Sequence, residues 1–379
     1  MTMNSQTVKK IRAFRKELHQ EPEVSGKEQQ TSSKIKAFFE ALQPDEIVED
    51  LGPYGLGVVF KGKEKGPTTL IRAELDALPI PEVGNHRHKS KNQGVSHTCG
   101  HDGHMAIVCG VGLELAAQRP AKGKVVLIFQ PSEETGLGAG QMIESTNFAQ
   151  IQPDFAFALH NLPGYAKNEI VLKKGAFTAA SKGMTISLHG KTSHAAHPED
   201  GLSPAEAMCK LIIALEKLPE SIPDFSLVTV IHAQLGEIAF GTSPGEAQVM
   251  ATLRTFDNKT MQALTNHAEK LVGLIAREQG LDYNISYCEE FEAVINDVVP
   301  WELVNDAAKE LALKRKHIRT PFRWSEDFGK FASLTNSFLF GLGAGKQQPQ
   351  LHEGHYDFPD EILGTGVALF TAIIKKLNY

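Results

Sequence analysis

Val125 to Phe129 form an unbroken apolar run between Lys124 and Gln130, which reads as a strand buried on both faces. Strands of that kind belong to parallel sheets, whose two faces are covered by helices. LGVVF, TTLIRAEL and the run from Phe155 to Leu159 have similar length and character. Helical patterns lie around them. Val8, Ile11, Phe14 and Leu18 share one stripe, and Ser25 with Glu28 has the spacing of a capping box ahead of Ile35, Phe38, Phe39 and Leu42. MAIVCGVGLELAA continues a helix that starts near Gly103, and a last helix follows Pro359. The alternation predicts an α/β fold with a mostly parallel sheet, in which ligands gather beyond the C-terminal ends of the strands.

The pattern changes after residue 180. Met184, Ile186 and Leu188 alternate as a strand with one buried face, and Ser203, Pro204 and Glu206 open a helix carrying Met208, Leu211, Ile212 and Leu215. Strands around Leu227 to Ile231 and Gln248 to Phe256 follow. A helix from Asn258 to Gln279, stopped by Gly280, leads to a strand with Tyr283, Ile285 and Tyr287 on one face. β-α-β-β-α-β is the order of a ferredoxin-like domain. The expected organisation is a catalytic domain over residues 1–180 and 293–379, interrupted by an inserted smaller domain over residues 181–292.

A chain of 379 residues is long enough for two cores. Its formal net charge of -6 argues against nucleic acid or an anionic membrane as a partner. No run is long enough to span a bilayer, MTMNSQTVKKIRAF has no apolar signal region, and cysteines 99, 109, 209 and 288 show no paired spacing. A cytoplasmic protein without disulfides is the expectation.

Chemistry concentrates in SKNQGVSHTCGHDGH, residues 90–104. Cys99 and His101, with Gly100 between them, can turn a thiolate and an imidazole toward one ion. Asp76 follows one strand, Glu133 and Glu134 follow another, His160 ends a third, and His352 lies near the C-terminus. Cys99, His101, Glu134, His160 and His352 would suffice for two divalent ions sharing the thiolate. On an extended backbone the side chains of Glu133 and Glu134 would leave in opposite directions, so that one could bind metal and the other act as a base. Asp76 reads equally as an acidic site group or as a turn cap.

These motifs resemble the dinuclear metallopeptidase family of aminoacylases and carboxypeptidases. Within it, the similarity is to the amidohydrolase subfamily of hippurate hydrolases, N-acetyldiaminopimelate deacetylases and hydrolases of indoleacetic acid-amino acid conjugates. The resemblance spans nearly the whole chain. It implies metal ligation by Cys99, His101, Glu134, His160 and His352, general-base catalysis by Glu133, and a supporting role for Asp76 beside the metals. It also implies that His194, in GKTSHAAHP, polarises the scissile carbonyl, and that Arg254, in ATLRTF, binds a substrate carboxylate. Some positions depart from the family's pattern. Gly241 to Pro244 replaces Asn-Val-Ile-Pro, Glu74 stands where Asp is usual, and Trp324-Ser325 replaces a small pair. Asn85 to His88 is also unusual and reads as a solvated loop, with His97, Asp102 and His104 as supporting groups.

The implied function is metal-assisted hydrolysis of the amide bond of small N-acyl amino acids, in a homodimer formed through the inserted domain. Mn2+, Zn2+, Co2+ and Ni2+ all suit the ligand set. The alternatives are a dipeptidase or carboxypeptidase of the same family, and a catalytically silent ligand- or metal-binding protein; the latter would have no use for a base at Glu133.

Overall fold

The computed structural model describes residues 5–379, in two compact units. The first comprises residues up to Phe177, Val294–Thr320 and Asp327–Tyr379; the second comprises Thr178–Ala293 and Pro321–Glu326.

The first unit opens with α1 (Ser5–Gln20), α2 (Gln29–Glu40), β1 (Glu46–Val48), β2 (Leu56–Lys61) and β3 (Glu64–Glu74). It continues through α3 (His101–Ala117), β4 (Lys122–Gln130), α4 (Gly138–Glu144), β5 (Phe155–Pro163), β6 (Ile170–Leu172) and β7 (Gly175–Ala176). The chain then forms the second unit with β8 (Ala180–His189), β9 (Ser193–His194), α5 (Ala205–Lys217), β10 (Ser226–Leu235), β11 (Thr242–Ser243), β12 (Glu246–Thr255), α6 (Asn258–Glu278) and β13 (Asp282–Phe291). It returns to the first unit through β14 (Ile295–Asn296), α7 (Val298–Glu310), β15 (Arg315–His317), α8 (Gly329–Ala332), β16 (Asn336–Gly345) and α9 (Leu363–Asn378).

The large sheet of the first unit has the order β1-β2-β4-β3-β5-β16-β6-β15, and its central strands β4, β3, β5 and β16 run parallel. The run Val125 to Phe129 is fully buried at its centre, as its composition requires. Helix α3 is buried around most of its circumference rather than along one stripe. Its Ile107 and Val111 share a core with Ile11 and Leu18 of α1 and with Val367 and Phe370 of α9. A helix so enclosed has little freedom to shift, which suits it to hold a site at its first turn.

Local signals were redirected in two places. Ser25 and Glu28 form no capping box: Thr31 N–H at the start of α2 donates instead to Glu23 Oε2 at 2.7 Å. Ser25 and Glu28 are drawn away by the site described below. Helix α3 starts at His101, ahead of Gly103, because Gly100 adopts a left-handed conformation with φ 91° and ends the preceding turn.

The second unit has the sheet order β10-β12-β8-β13 with every pairing antiparallel. α5 follows β8 and α6 follows β12, giving the order β-α-β-β-α-β. Its core unites Met184, Ile186 and Leu188 with Leu211, Leu215, Val249, Leu253, Leu264 and Val272. Asp257 caps α6 by accepting from Thr260 N–H at 2.8 Å, and Gly280 ends the helix with φ +66°.

Packing of α2 on α3 depends on Gly112, where a Cβ would overlap the ring of Phe39, itself fully buried and held between Phe38 and Phe129. Gly112→Ala should gain about 1 kcal/mol of helix propensity. Overpacking at such a site costs about 1–3 kcal/mol, so the clash should win. A lower denaturant midpoint for Gly112→Ala is expected; an unchanged or raised midpoint would show that the ring yields freely.

Candidate metal centre

Asp76, Cys99, His101, Glu133, Glu134, His160 and His352 come together in the first unit. Cys99 lies on the turn before α3, and His101 is the first residue of that helix. The close approach of the Cys99–His101 turn to Asn161 is possible because position 100 is glycine: a Cβ there would lie 2.7 Å from Asn161 Oδ1. His160 is not at a strand end but within β5, opposite Gly341 of β16.

Hydrogen bonds set which ring nitrogen each histidine presents. His101 Nδ1–H donates to the carbonyl oxygen of Asp76 at 2.9 Å, and His160 Nδ1–H donates to the carbonyl oxygen of Asn161 at 3.0 Å. A ring protonated at Nδ1 and fixed on a carbonyl offers the lone pair of Nε2 to a metal. His160 Nε2 lies 3.6 Å from Cys99 Sγ. His101 Nε2 is buried and makes no hydrogen bond, while Glu133 Oε2 and Glu134 Oε1 each lie 3.9 Å away. That separation is too long for a hydrogen bond. It is within the spread of two ligands that each lie about 2.1 Å from one ion.

Two donor groups share the thiol: Cys99 with His101 and His160, and Cys99 with Glu134 and His352. Within each, the potential ligand atoms lie within 4.8 Å of one another. His352 Nε2 is 3.6 Å from Glu134 Oε2, and the His352 backbone, with φ 66°, donates from its N–H to Thr98 O at 3.0 Å.

The field here favours cations. Burial pulls the His101 pKa down, but its bond to Asp76 and the charges of Glu74, Asp76 and Glu134 prevail and push it up to about 10. Burial also lowers His160, with His104 adding to the shift, so His160 remains a neutral donor. Asp76 is fully buried and its pKa is lowered: burial opposes ionisation, but hydrogen bonding to His101, Glu134 N–H and Ser25 overcomes it.

Glu133 and Glu134 do not lie on extended backbone. They form a turn entered through Ser132 at φ 52°, and both carboxylates approach the same face of the centre. Glu28 holds this turn by accepting from Ser132 N–H at 2.8 Å. Asp327 N–H donates to Glu133 Oε1 at 3.4 Å.

A buried layer of charge lies beneath, of which the sequence had pointed to Glu74 and His104 but not to Arg72. Arg72 donates through Nη2 to Asp327 Oδ1 at 2.7 Å and through Nε to Gln130 Oε1 at 2.9 Å, and it also pairs with Glu74. Glu74 accepts from His104 Nδ1 at 2.7 Å, and His104 Nε2 accepts from Asn161 N–H at 3.2 Å. Both His104 nitrogens are thus engaged outside the centre. Arg72 could have been noticed as a charge inside the apolar run TTLIRAEL; Gln130 and Asn161 carry no comparable signal.

His194 and Arg254 belong to the second unit. His194 is exposed on β9, and its Nδ1 accepts from Ala196 N–H at 3.0 Å. Arg254 Nη1 donates to Arg323 O and Ser325 Oγ, each at 3.0 Å, and Trp324 stacks on Phe322 with ring centroids 5.3 Å apart.

A thiol shared by two donor groups, imidazoles fixed through Nδ1 and paired carboxylates on one turn form a donor set that could hold metal ions. Residues 70–376 match the family described as Peptidase family M20/M25/M40, and the chain belongs to that family. It is a hydrolase of amide bonds. Over 371 residues it is 30% identical to a hippurate hydrolase of Campylobacter jejuni, covering 96% of this chain and 95% of the relative. It is 29% identical to an N-acetylcysteine deacetylase of Bacillus subtilis over 367 residues, 95% of this chain and 94% of the relative. Among solved structures it is similar to a dinuclear metal-binding peptidase of the M20 family from Bacillus subtilis, with a TM-score of 0.85 and 27% identity over 98% of this chain and 99% of that one.

Because Cys99 belongs to both donor groups, its removal should disturb both positions. Cys99→Ala is expected to bind less metal per chain by elemental analysis while retaining native circular dichroism. Native metal content in that variant would remove the thiol from the ligand set.

Proposed function

We propose that this protein hydrolyses the amide bond of N-acyl amino acids with Glu133 as general base. The observation that carries the reading is the pairing of Glu133 with Glu134 on one turn beside His101: one carboxylate can serve as ligand while the other handles the proton. Cys99, His101, Glu134, His160 and His352 would hold two divalent ions, drawn from manganese, zinc, cobalt or nickel. Bound ions of this class supply Lewis acidity and lower the pKa of water.

Glu133 then removes a proton from the attacking water and returns it to the leaving amine. The Asp327 N–H and the turn fixed by Glu28 orient its carboxylate. Asp76 supports His101 from behind. His194 is assigned to the scissile carbonyl, because Nδ1 accepts from Ala196 N–H and leaves the ring proton of the neutral tautomer on Nε2, where it can be donated. Arg254 is assigned to the substrate carboxylate through its remaining N–H groups.

Hippuric acid and N-acetylcysteine, in the names of two relatives, are both N-acyl amino acids, which supports that substrate class. A dipeptidase is the second reading, favoured only by the family's peptidase members. The second unit has the order of a ferredoxin-like lid, and we assign it to homodimer formation. Ile231, Ile238 and Phe240 are exposed apolar groups on it, and exposed apolar groups favour association. No described helix is long and apolar enough to cross a membrane, and all four cysteines are free, which fits a reducing cytoplasm.

Glu133→Gln should keep its metal and its substrate KM while kcat falls about 100-fold or more on the best substrate found among N-acetyl, N-benzoyl and longer N-acyl amino acids. Near-native kcat would sink the assignment, and turnover confined to dipeptides would replace the substrate class.

His194→Ala should lower kcat without changing metal content, and sedimentation should give a dimer for the native chain. A native kcat or a monomer at working concentration would each refute its part.

A further inference from the structure

A second group of metal-type donors lies outside the chemistry above. His19 is near the end of α1, His86 and His88 stand two apart after β3, and Asp357 precedes α9. One donor atom from each lies within 4.8 Å of the others. The rings of His86 and His88 have centroids 4.3 Å apart, and those centroids lie 5.4 and 5.2 Å from that of His19. In the segment Asn85 to His88, Asn85 and Arg87 are exposed as its polarity suggested, whereas His86 and His88 fold against α1, with side-chain exposures of 20% and 13%.

The contacts in this cluster conflict in a way a cation would resolve. His88 Nε2 lies 2.9 Å from Arg15 Nη2, which can only donate. The same nitrogen lies 3.1 and 3.0 Å from the two Asp357 oxygens, which only accept when ionised. One nitrogen cannot be acceptor and donor together. With a metal ion between them, His88 and Asp357 would both give lone pairs.

His19 shows a separate feature. Its Nδ1 donates to Asp102 Oδ2 at 2.8 Å, and Arg15 Nη1 donates to the same buried oxygen at 2.9 Å. This carboxylate-histidine pairing fixes the ring and directs Nε2 toward Glu82 and His86, as in histidine ligands oriented by a carboxylate behind them. His19 Nε2 and His86 Nε2 converge on Glu82 Oε1, His19 at 3.1 Å and His86 in closer contact.

We propose that His19, His86, His88 and Asp357 form a further binding site for a zinc-class divalent ion, separate from the Cys99 centre. Three imidazoles and one carboxylate make a closed tetrahedral set, and nitrogen-rich sets favour zinc, nickel or copper over magnesium or calcium. The ion replaces the contact of His88 with Arg15 Nη2, that of Asp357 with Arg15 Nη1 at 2.8 Å, and those of His19 and His86 with Glu82; Arg15 keeps Asp102 at 2.9 Å and Asp360 at 2.8 Å. His19 is fully buried at the base, while Asp357, 29% exposed, leaves a path from solvent. Binding ties α1, the 86–88 loop and the segment before α9 together. Through Asp102 it also braces the first turn of α3, where His101 is the adjacent residue. A closed set has no open position for substrate, so the site is structural.

The test uses full-length protein stripped of metal, reloaded with zinc and desalted. Zinc per chain is measured for the native protein, His86→Ala/His88→Ala and Cys99→Ala, each verified as folded by circular dichroism. The double variant should hold one fewer zinc per chain than native and keep amide hydrolysis. In Cys99→Ala, zinc should still raise the melting temperature, an effect abolished when His86→Ala and His88→Ala are added. If the double variant does not fold, His86→Asn alone should lose zinc to a competing chelator at lower chelator concentration than native. Equal zinc content in native and folded double variant, or equal chelator resistance in native and His86→Asn, overturns the proposal. Neither result bears on the Cys99 centre, whose ligands are unchanged in those variants.

Discussion

Asp76 joins four segments of the chain through one buried carboxyl residue. Its carbonyl oxygen accepts from His101 at the start of α3, and its Oδ2 accepts from Glu134 N–H at 3.0 Å and from Ser25 Oγ–H at 2.7 Å. The end of β3, the first turn of α3, the turn after β4 and the loop after α1 are thereby held in common. Hydrogen bonds to an ionised group contribute about 1.5–3 kcal/mol each, and losing one in a buried site leaves a charge without compensation. The position of the His101 ring therefore depends on all of them together.

The remaining charge is arranged in layers around that constraint. Arg72 and Asp327 neutralise one another inside the first unit, with the Gln130 amide bridging them, and Asp327 also accepts from Ala139 N–H at 2.9 Å. Glu74 is held well below the usual carboxylate range: burial opposes this, but Arg72 and then His104 overcome it. Buried pairs of this kind are strongly destabilising when one partner is removed, by about 3–5 kcal/mol, because the other is left unpaired. They fix geometry more than they add stability. Here the geometry is that of Glu133, reached through the Asp327 backbone, and of Asn161, reached through His104.

Much of this was legible from residues alone, and what was missed has a physical cause. The strand from Val125 to Phe129 was evident because burial on both faces leaves no place for polar residues. The alternation of Met184, Ile186 and Leu188 marked a sheet with one covered face, and all three are buried. Cys99, His101, Glu133, Glu134 and His352 stood out because few soluble sequences place such groups near element ends without chemical use; His160 stood out too, although β5 runs past it to Pro163. Ser25 and Glu28 misled, since a capping box is a local pattern and their partners, Asp76 and Ser132, are 51 and 104 residues away. The turn at Ser132 was hidden for the same reason: its positive φ is held by a distant carboxylate. His86 and His88 looked solvated because their partners, His19 and Asp357, come from opposite ends of the chain.

The proposed function would place two ions on ligands that include the Cys99 thiol, with the His101 and His160 rings already oriented by their Nδ1 bonds. Anomalous diffraction from crystals soaked in manganese or zinc tests this most directly. It should show two peaks astride Cys99 Sγ, one toward His101 and His160 and the other toward Glu134 and His352, with Asp76 still bonded to His101. A single peak, or two peaks with Cys99 turned away from both, would contradict the account.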